Sequence, residues 1–373
     1  MKKISILLLV LAAGLVSACA LVITPDPLAD GSIVIRLGLD DLATKSVGTA
    51  DENNVGKLDV FVFSSDGATQ LYHGTPTPTL VDGTHYEQII HLSNMASGTT
   101  GTDVKNATVF AIANYPSGGE TLTGKTLDQV KAIVVDAGGF RDGDAVKEHP
   151  VFVMTAEGAF QKEKDDNDKD MAVADLSLKR LAAKLTLSIN YVSPLTTTET
   201  VNVSGVEREA TKTWTPLTSG EHIRAFLQNA AGNALLGGSY PATISRFTYG
   251  AVFFNGESTS KPFYSYPVDI SAIAGTDDEP FLKLSQPWEY VTTVDMDGTP
   301  TVVDRDVVEF CYKIMLPATV TSLAANTWYQ ITVTLKVLGG EASRPPVVIR
   351  ADAIQILDWR AVGGEGSNCP LGE

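Results

Sequence analysis

With 373 residues, the chain has room for two domains, each able to bury its own core. Its 28 basic and 44 acidic residues leave a formal net charge of -16, which argues against nucleic acid and anionic lipid surfaces as partners, because no basic stripe is on offer to release phosphate counterions. Abundant Thr, Val, Gly and Ser with few helical patterns point to an all-β protein.

The chain opens with Lys2 and Lys3, followed by an apolar run from Ile4 to Val16 that is short for a transmembrane helix. A charged start, a short apolar run and small residues at its end make a secretory signal over residues 1–18. Val16-Ser17-Ala18-Cys19 resembles the bacterial lipobox, so Cys19 is expected to become the lipid-bearing N-terminus; the alternative is an ordinary signal with an incidental Cys. Besides it only Cys311 and Cys369 remain, too few for a disulfide framework; the two could pair in an oxidising compartment, but a strand position for Cys311 and a tail position for Cys369 favour reading both as free.

After the tether Thr24-Pro25-Asp26-Pro27, the residues Ile33, Ile35, Leu37 and Leu39 alternate with Val34, Arg36 and Gly38, as in a half-buried strand. The polar stretch from Thr44 to Asn54 has no periodicity and reads as an exposed loop. Lys57 to Phe63 is an apolar strand ended by Ser64-Ser65-Asp66-Gly67, and Thr108 to Ala113 is another, closed by Asn114-Tyr115-Pro116. Leu127 to Val135 is the best helix, with Leu127, Val130, Ile133 and Val134 on one face. The charge run at 161–170 reads as a solvated loop. Leu176 to Ile189 is one long strand or two with a hinge, and the domain boundary is placed near Arg180. Tyr329, Ile331, Val333, Leu335 and Val337 alternate cleanly with polar residues. The run from Gly339 to Pro346 is expected to break the sheet, leaving an apolar segment from Val347 to Trp359 beyond it.

Catalytic chemistry has no residues to name. G-x-S-x-G, the P-loop and H-E-x-x-H are absent, and His73, His85, His91, His149 and His222 stand at no metal-ligand spacing. Asp166, Asp168 and Asp170 imitate the start of a calcium loop, but Met171 replaces the bending Gly and no Glu closes the loop. Asp295-Met296-Asp297-Gly298 reads as a hairpin turn. No metal, cofactor or enzymatic activity is expected.

What remains is a pair of terminal strands. Cutting after Lys45 would free the strand of Ile33, Ile35, Leu37 and Leu39. The groove it leaves would forfeit roughly 6 to 12 kcal/mol, at about 1.5 to 3 kcal/mol per aliphatic side chain. Such a groove accepts a foreign strand by β-augmentation, and head-to-tail exchange builds an open filament. Val347, Ile349, Ala351 and Ala353 share one face of the last segment. Ile354, Ile356, Leu357 and Trp359 add apolar anchors after a change of register. Periodicity alone leaves open whether both strands pair within their own monomer.

Over most of its length the sequence resembles the fimbrillins of the Bacteroidales. The likeness is carried by the lipobox at Cys19, Lys57-Leu58-Asp59-Val60-Phe61-Val62-Phe63 with its Ser-Asp-Gly turn, and Ala111-Ile112-Ala113-Asn114-Tyr115. It continues through Gly124 to Lys131, Met154-Thr155-Ala156-Glu157, Leu181-Ala182-Ala183-Lys184-Leu185 and the closing Asp358-Trp359. The resemblance implies two transthyretin-like β-sandwich domains made as a lipoprotein precursor on the outer membrane. It also implies a surface protease of basic specificity that removes the N-terminal strand, and polymerisation with identical or related subunits by strand exchange. The organisation then reads as signal peptide 1–18, lipidated propeptide 19–45, N-terminal sandwich 46–180, C-terminal sandwich 181–338, and linker with donor strand 339–373. The cut falls between Lys45 and Ser46, where the family carries Arg. That departure leaves open an anchor subunit that keeps its lipid, and a monomeric ligand-binding lipoprotein stands as the reading from a different class.

Overall fold

Strands form where β-branched and aromatic residues are dense, and they break at turn residues. The computed structural model describes residues 32–39, 50–81, 85–164, 170–218, 223–254, 260–341 and 343–359. The main strands before residue 181 are β1 (Ser32–Leu39), β2 (Leu58–Phe63), β3 (Gln70–Gly74), β4 (Leu80–Val81), β5 (His85–His91), β6 (Thr108–Ala113), β7 (Met154–Ala159), β8 (Gln161–Lys164) and β9 (Asp170–Arg180). They make a nine-stranded sheet in the order β3-β2-β6-β7-β9-β1-β5-β4, with β8 beside β9. The long β9 belongs to both arms of this sheet: Lys179 and Arg180 pair with β7, while residues 172–178 pair with β1. The sheet therefore folds over on itself, and Ile33, Phe61, Phe63 and Phe110 fill the space between its arms.

At Leu181–Ala182 the chain leaves β9 and enters the second sheet system. Its main strands are β10 (Ala183–Tyr191), β11 (Leu195–Val203), β12 (Val206–Pro216), β13 (Arg224–Gln228), β14 (Val252–Phe253), β15 (Phe263–Ser265), β16 (Phe281–Met296), β17 (Thr299–Met315), β18 (Thr327–Leu335), β19 (Gly340–Glu341), β20 (Val347–Arg350) and β21 (Ala353–Asp358). A four-stranded sheet runs β15-β10-β18-β21. An eight-stranded one runs β11-β12-β16-β13-β14, with β17 on β16 and with β19 and β20 on β17. The molecule is all-β, its sheets packed as sandwich-like half-barrels. The β16–β17 hairpin turns at Asp297 and Gly298, whose φ of 55° and 84° suit the two-residue turn read there. The outer edge of β17 from Thr299 to Glu309 pairs with no described strand, and residues 299–307 are exposed.

Several local expectations need correction. The helix runs only from Leu127 to Lys131, started by a capping box between Thr126 and Gln129. Val134, which continued the helical phase, instead opens a short strand to Asp136 that pairs with Asn233–Leu235. The charge run is not all loop, since Gln161–Lys164 pairs antiparallel with β9. The cleanly alternating strand stops at Leu335, and Val337 is exposed beyond it. The Gly- and Pro-rich run does not leave the sheet either: Gly340 and Glu341 pair with Cys311 and Phe310. Glycine is required there because a Cβ on Gly340 would strike the Pro345 carbonyl. Cys311 is a free, half-buried thiol, while Cys369 lies outside the described residues.

Candidate assembly site

The alternation that marks β1 in the sequence becomes a two-faced central strand. Ile33, Ile35 and Leu37 are fully buried in the core, and Val34 is nearly so. Arg36, on the opposite face from Ile35 and Leu37, meets Glu163 at 3.1 Å, Glu87 at 3.5 Å and Asp175 at 3.7 Å, so carboxylates from β8 and from the two neighbours of β1, β5 and β9, hold it. β1 runs parallel to β9 from Ile33↔Ala172 to Leu39↔Leu178, and antiparallel to β5 from Ser32↔His91 to Gly38↔His85. Taking β1 away would therefore open a slot with pairing edges on both walls. The chain reaches the rest of the protein from β1 through residues 40–49. Cys19, Lys45 and Ser46 lie outside the described residues.

The C-terminal segment is docked on its own second sheet system. β20 pairs parallel with Tyr312–Met315, and β21 pairs antiparallel with Thr327–Thr332, each at a sheet edge. Between them the Ala351 amide donates to the Met315 carbonyl and the Asp352 amide to the Thr332 carbonyl, both at 3.0 Å. The register changes at this crossing, which is why Val347, Ile349 and Ala351 face inward while Ala353 turns out. Ile354 and Leu357 are half-buried, and Ile356 is 55% exposed. The segment is thus lightly held along its length. Its one deep anchor is Trp359, 4% exposed.

Trp359 sits in a seat built by parts of the chain that are distant in sequence. Its ring stacks on Tyr264 at 5.6 Å and meets Phe152 edge-on at 5.0 Å. Its backbone amide donates to the Asn326 carbonyl at 2.9 Å, and its own carbonyl accepts from Arg180 Nη1 at 3.0 Å. Beside the indole N–H lies Glu52, 1% exposed, presented by a single 3-10 turn over Ala50–Asn53. The Glu52 carboxylate accepts from Lys184 Nζ at 2.9 and 3.1 Å, from the Tyr264 hydroxyl at 2.5 Å and from Trp359 Nε1 at 3.4 Å. Arg180 closes the seat, donating through Nε to the Glu52 carbonyl at 3.1 Å and through Nη2 to Asn53 Oδ1. Burial lowers the Lys184 ammonium below its ordinary range, and the Glu52 charge offsets part of that. Burial likewise raises the Tyr264 phenol far above its usual value. The stretch from Thr44 to Asn54 reads from the sequence as an exposed loop, and the structure corrects this at Glu52, which is buried in the Ala50–Asn53 turn because it is the counter-charge of Lys184. The available signal was Arg180 and Lys184, two cations flanking the apolar Leu181-Ala182-Ala183 and therefore in need of a buried counter-charge.

A pH response follows from the crossing. Asp352 accepts from the Thr334 amide and from Lys336 Nζ at 3.2 Å, and hydrogen bonding from Thr334 holds its carboxyl below the ordinary 3.8. Because the folded value is the depressed one, its stabilisation is complete above about pH 4 and is lost as pH falls through that lower value. Exchange protection of the β21 amides is expected to hold steady from about pH 7 to 5 and to fall below about pH 4. Asp352→Asn should remove that acid step, and a step of equal size in the variant would refute the assignment.

The family model for the major fimbrial subunit protein (FimA) matches residues 32–180, the span from β1 to the end of β9. Over residues 32–180 the chain is similar to fimbrial subunit proteins. That likeness points to a structural role at the cell surface rather than an enzymatic one. Among solved structures, a candidate cell adhesion protein of Parabacteroides distasonis is 14% identical with a TM-score of 0.50, covering 90% of this chain and 98% of that chain. That likeness speaks for a shared fold. The Porphyromonas gingivalis tip fimbrial protein Mfa3, truncated at its C-terminus, is 12% identical with a TM-score of 0.49 over 88% of this chain and 100% of its own. A candidate cell adhesion protein of Bacteroides eggerthii is 16% identical with a TM-score of 0.48, over 87% of this chain and 94% of that one. No curated protein sequence matches the chain.

Proposed function

We propose that this protein is a shaft subunit of an adhesive surface fimbrium, delivered to the outer membrane as a lipoprotein through Cys19 and joined to its neighbours by strand exchange. A protease of basic specificity cuts between Lys45 and Ser46, β1 leaves, and the segment from Val347 to Trp359 of the next subunit fills the slot between β9 and β5. The observation that carries this reading is β1 itself, a strand with Ile33, Ile35 and Leu37 fully buried and paired on both edges, yet joined to the body through residues 40–49. The light hold on the last segment agrees with it, since a strand that must depart is best kept at an edge.

The test is the N-terminus of subunits recovered from filaments on cells, read by mass spectrometry. Filaments built from chains beginning at Ser46 are expected. Filaments whose shaft subunits still begin at a lipidated Cys19 would overturn strand removal. Lys45 standing where the family carries Arg favours a second reading, an anchor subunit that keeps its lipid and its first strand. In that case the Cys19 form is found only at the filament base.

A further inference from the structure

We propose that the Glu52 seat is a latch through which cutting the chain at Lys45–Ser46 unlocks the C-terminal segment of the same subunit. The inference rests on the processing reading above and adds a regulation to it. Besides its ring contacts and the bond from its own amide to the Asn326 carbonyl, what holds Trp359 in place comes from the Ala50–Asn53 turn or from groups that the turn satisfies. Glu52 accepts from the indole, from Tyr264 and from Lys184, and the Arg180 guanidinium bridges the Glu52 and Trp359 carbonyls.

In the intact chain that turn is tethered on both sides, with β1 held centrally ahead of it. After a cut at Lys45–Ser46 only the four residues from Ser46 to Thr49 precede it, and a short terminal turn opens far more readily than an internal one. When the turn opens, the indole loses its acceptor and the Lys184 ammonium, already disfavoured by burial, loses its counter-charge. Water then enters beside Trp359. β21 is left holding on by one sheet edge, with Ile356 facing solvent. The coupling is reciprocal: emptying the seat also loosens the turn. Processing at one end thereby readies the other end for a partner, and uncut subunits keep their last strand to themselves.

The experiment uses the full mature chain with a site-specific protease sequence inserted between Lys45 and Ser46, followed by hydrogen exchange before and after cutting. Exchange at Ala353–Trp359 is expected to speed up at least tenfold on cutting, while amides of β16 stay protected. In the uncut chain Glu52→Gln should produce much of the same acceleration. Trp359→Phe, which keeps the packing but lacks the indole donor, should give a smaller increase and serves if the Glu52 variant does not fold. Unchanged exchange on cutting, or an increase spread evenly over β16, would overturn the latch. Filaments forming without this coupling would sink the latch alone, and coupling without filaments would sink the proposed function alone.

Discussion

A chain that begins at Ser46 is expected not to fold its first sheet system unless β1 is returned to it as a peptide. Three fully buried aliphatic side chains, Ile33, Ile35 and Leu37, would be missing from the core. At about 1.5 to 3 kcal/mol each, their loss amounts to about 5 to 9 kcal/mol, comparable to the whole stability of an ordinary domain. Two open strand edges on β9 and β5 add to the loss and invite aggregation. A synthetic Ser32–Leu39 peptide should restore the thermal transition of the shortened chain, with its pairing on both walls visible by exchange protection. Cutting alone should do much less, because the same contacts keep β1 seated without its covalent link. If the chain from Ser46 melts within a few degrees of the full chain, the slot does not exist as described.

The second large effect belongs to Lys184. Lys184→Ala would leave the Glu52 carboxylate, 1% exposed, without its counter-charge, and removing one partner of a buried ion pair costs about 3–5 kcal/mol. The combined change Lys184→Met with Glu52→Gln should cost markedly less than the single one, since both charges leave together and the volume is kept. Urea unfolding of the two single variants and the double variant gives the coupling directly. A loss below about 1 kcal/mol for Lys184→Ala would mean that water reaches the pair and the seat is open.

Elements whose signal is local were readable from the residues. The apolar run that forms β2 and the alternation of β18 each announce themselves within a few residues. Elements decided by distant partners were not. Val134 keeps a helical phase, yet it pairs as a strand with a segment about a hundred residues away. The alternation of Val347, Ile349 and Ala351 marks a strand, but nothing in it says that the edges of β17 and β18 lie close enough to receive it. Glu52 looks like one more loop carboxylate until Lys184, 132 residues on, is found against it. Of the candidate site, β1 and the last segment were visible as apolar patterns, whereas the seat that joins them is a tertiary object built from single polar residues.

In the proposed fimbrium, where copies would stand side by side, the open margin of β17 has its own consequence. Val302, Val303 and Val307 are all exposed along it, and a long, flat, β-branched edge is what neighbouring chains stick to. Asp304, Arg305 and Asp306 interrupt the valines midway, and Asp304 is fixed by the Tyr290 hydroxyl at 2.8 Å. A neighbouring edge laid along the hairpin would have to bring its own strand against those charges. In such an assembly the margin would resist unregulated sheet growth between subunits, leaving contact between copies to surfaces that open only when called upon.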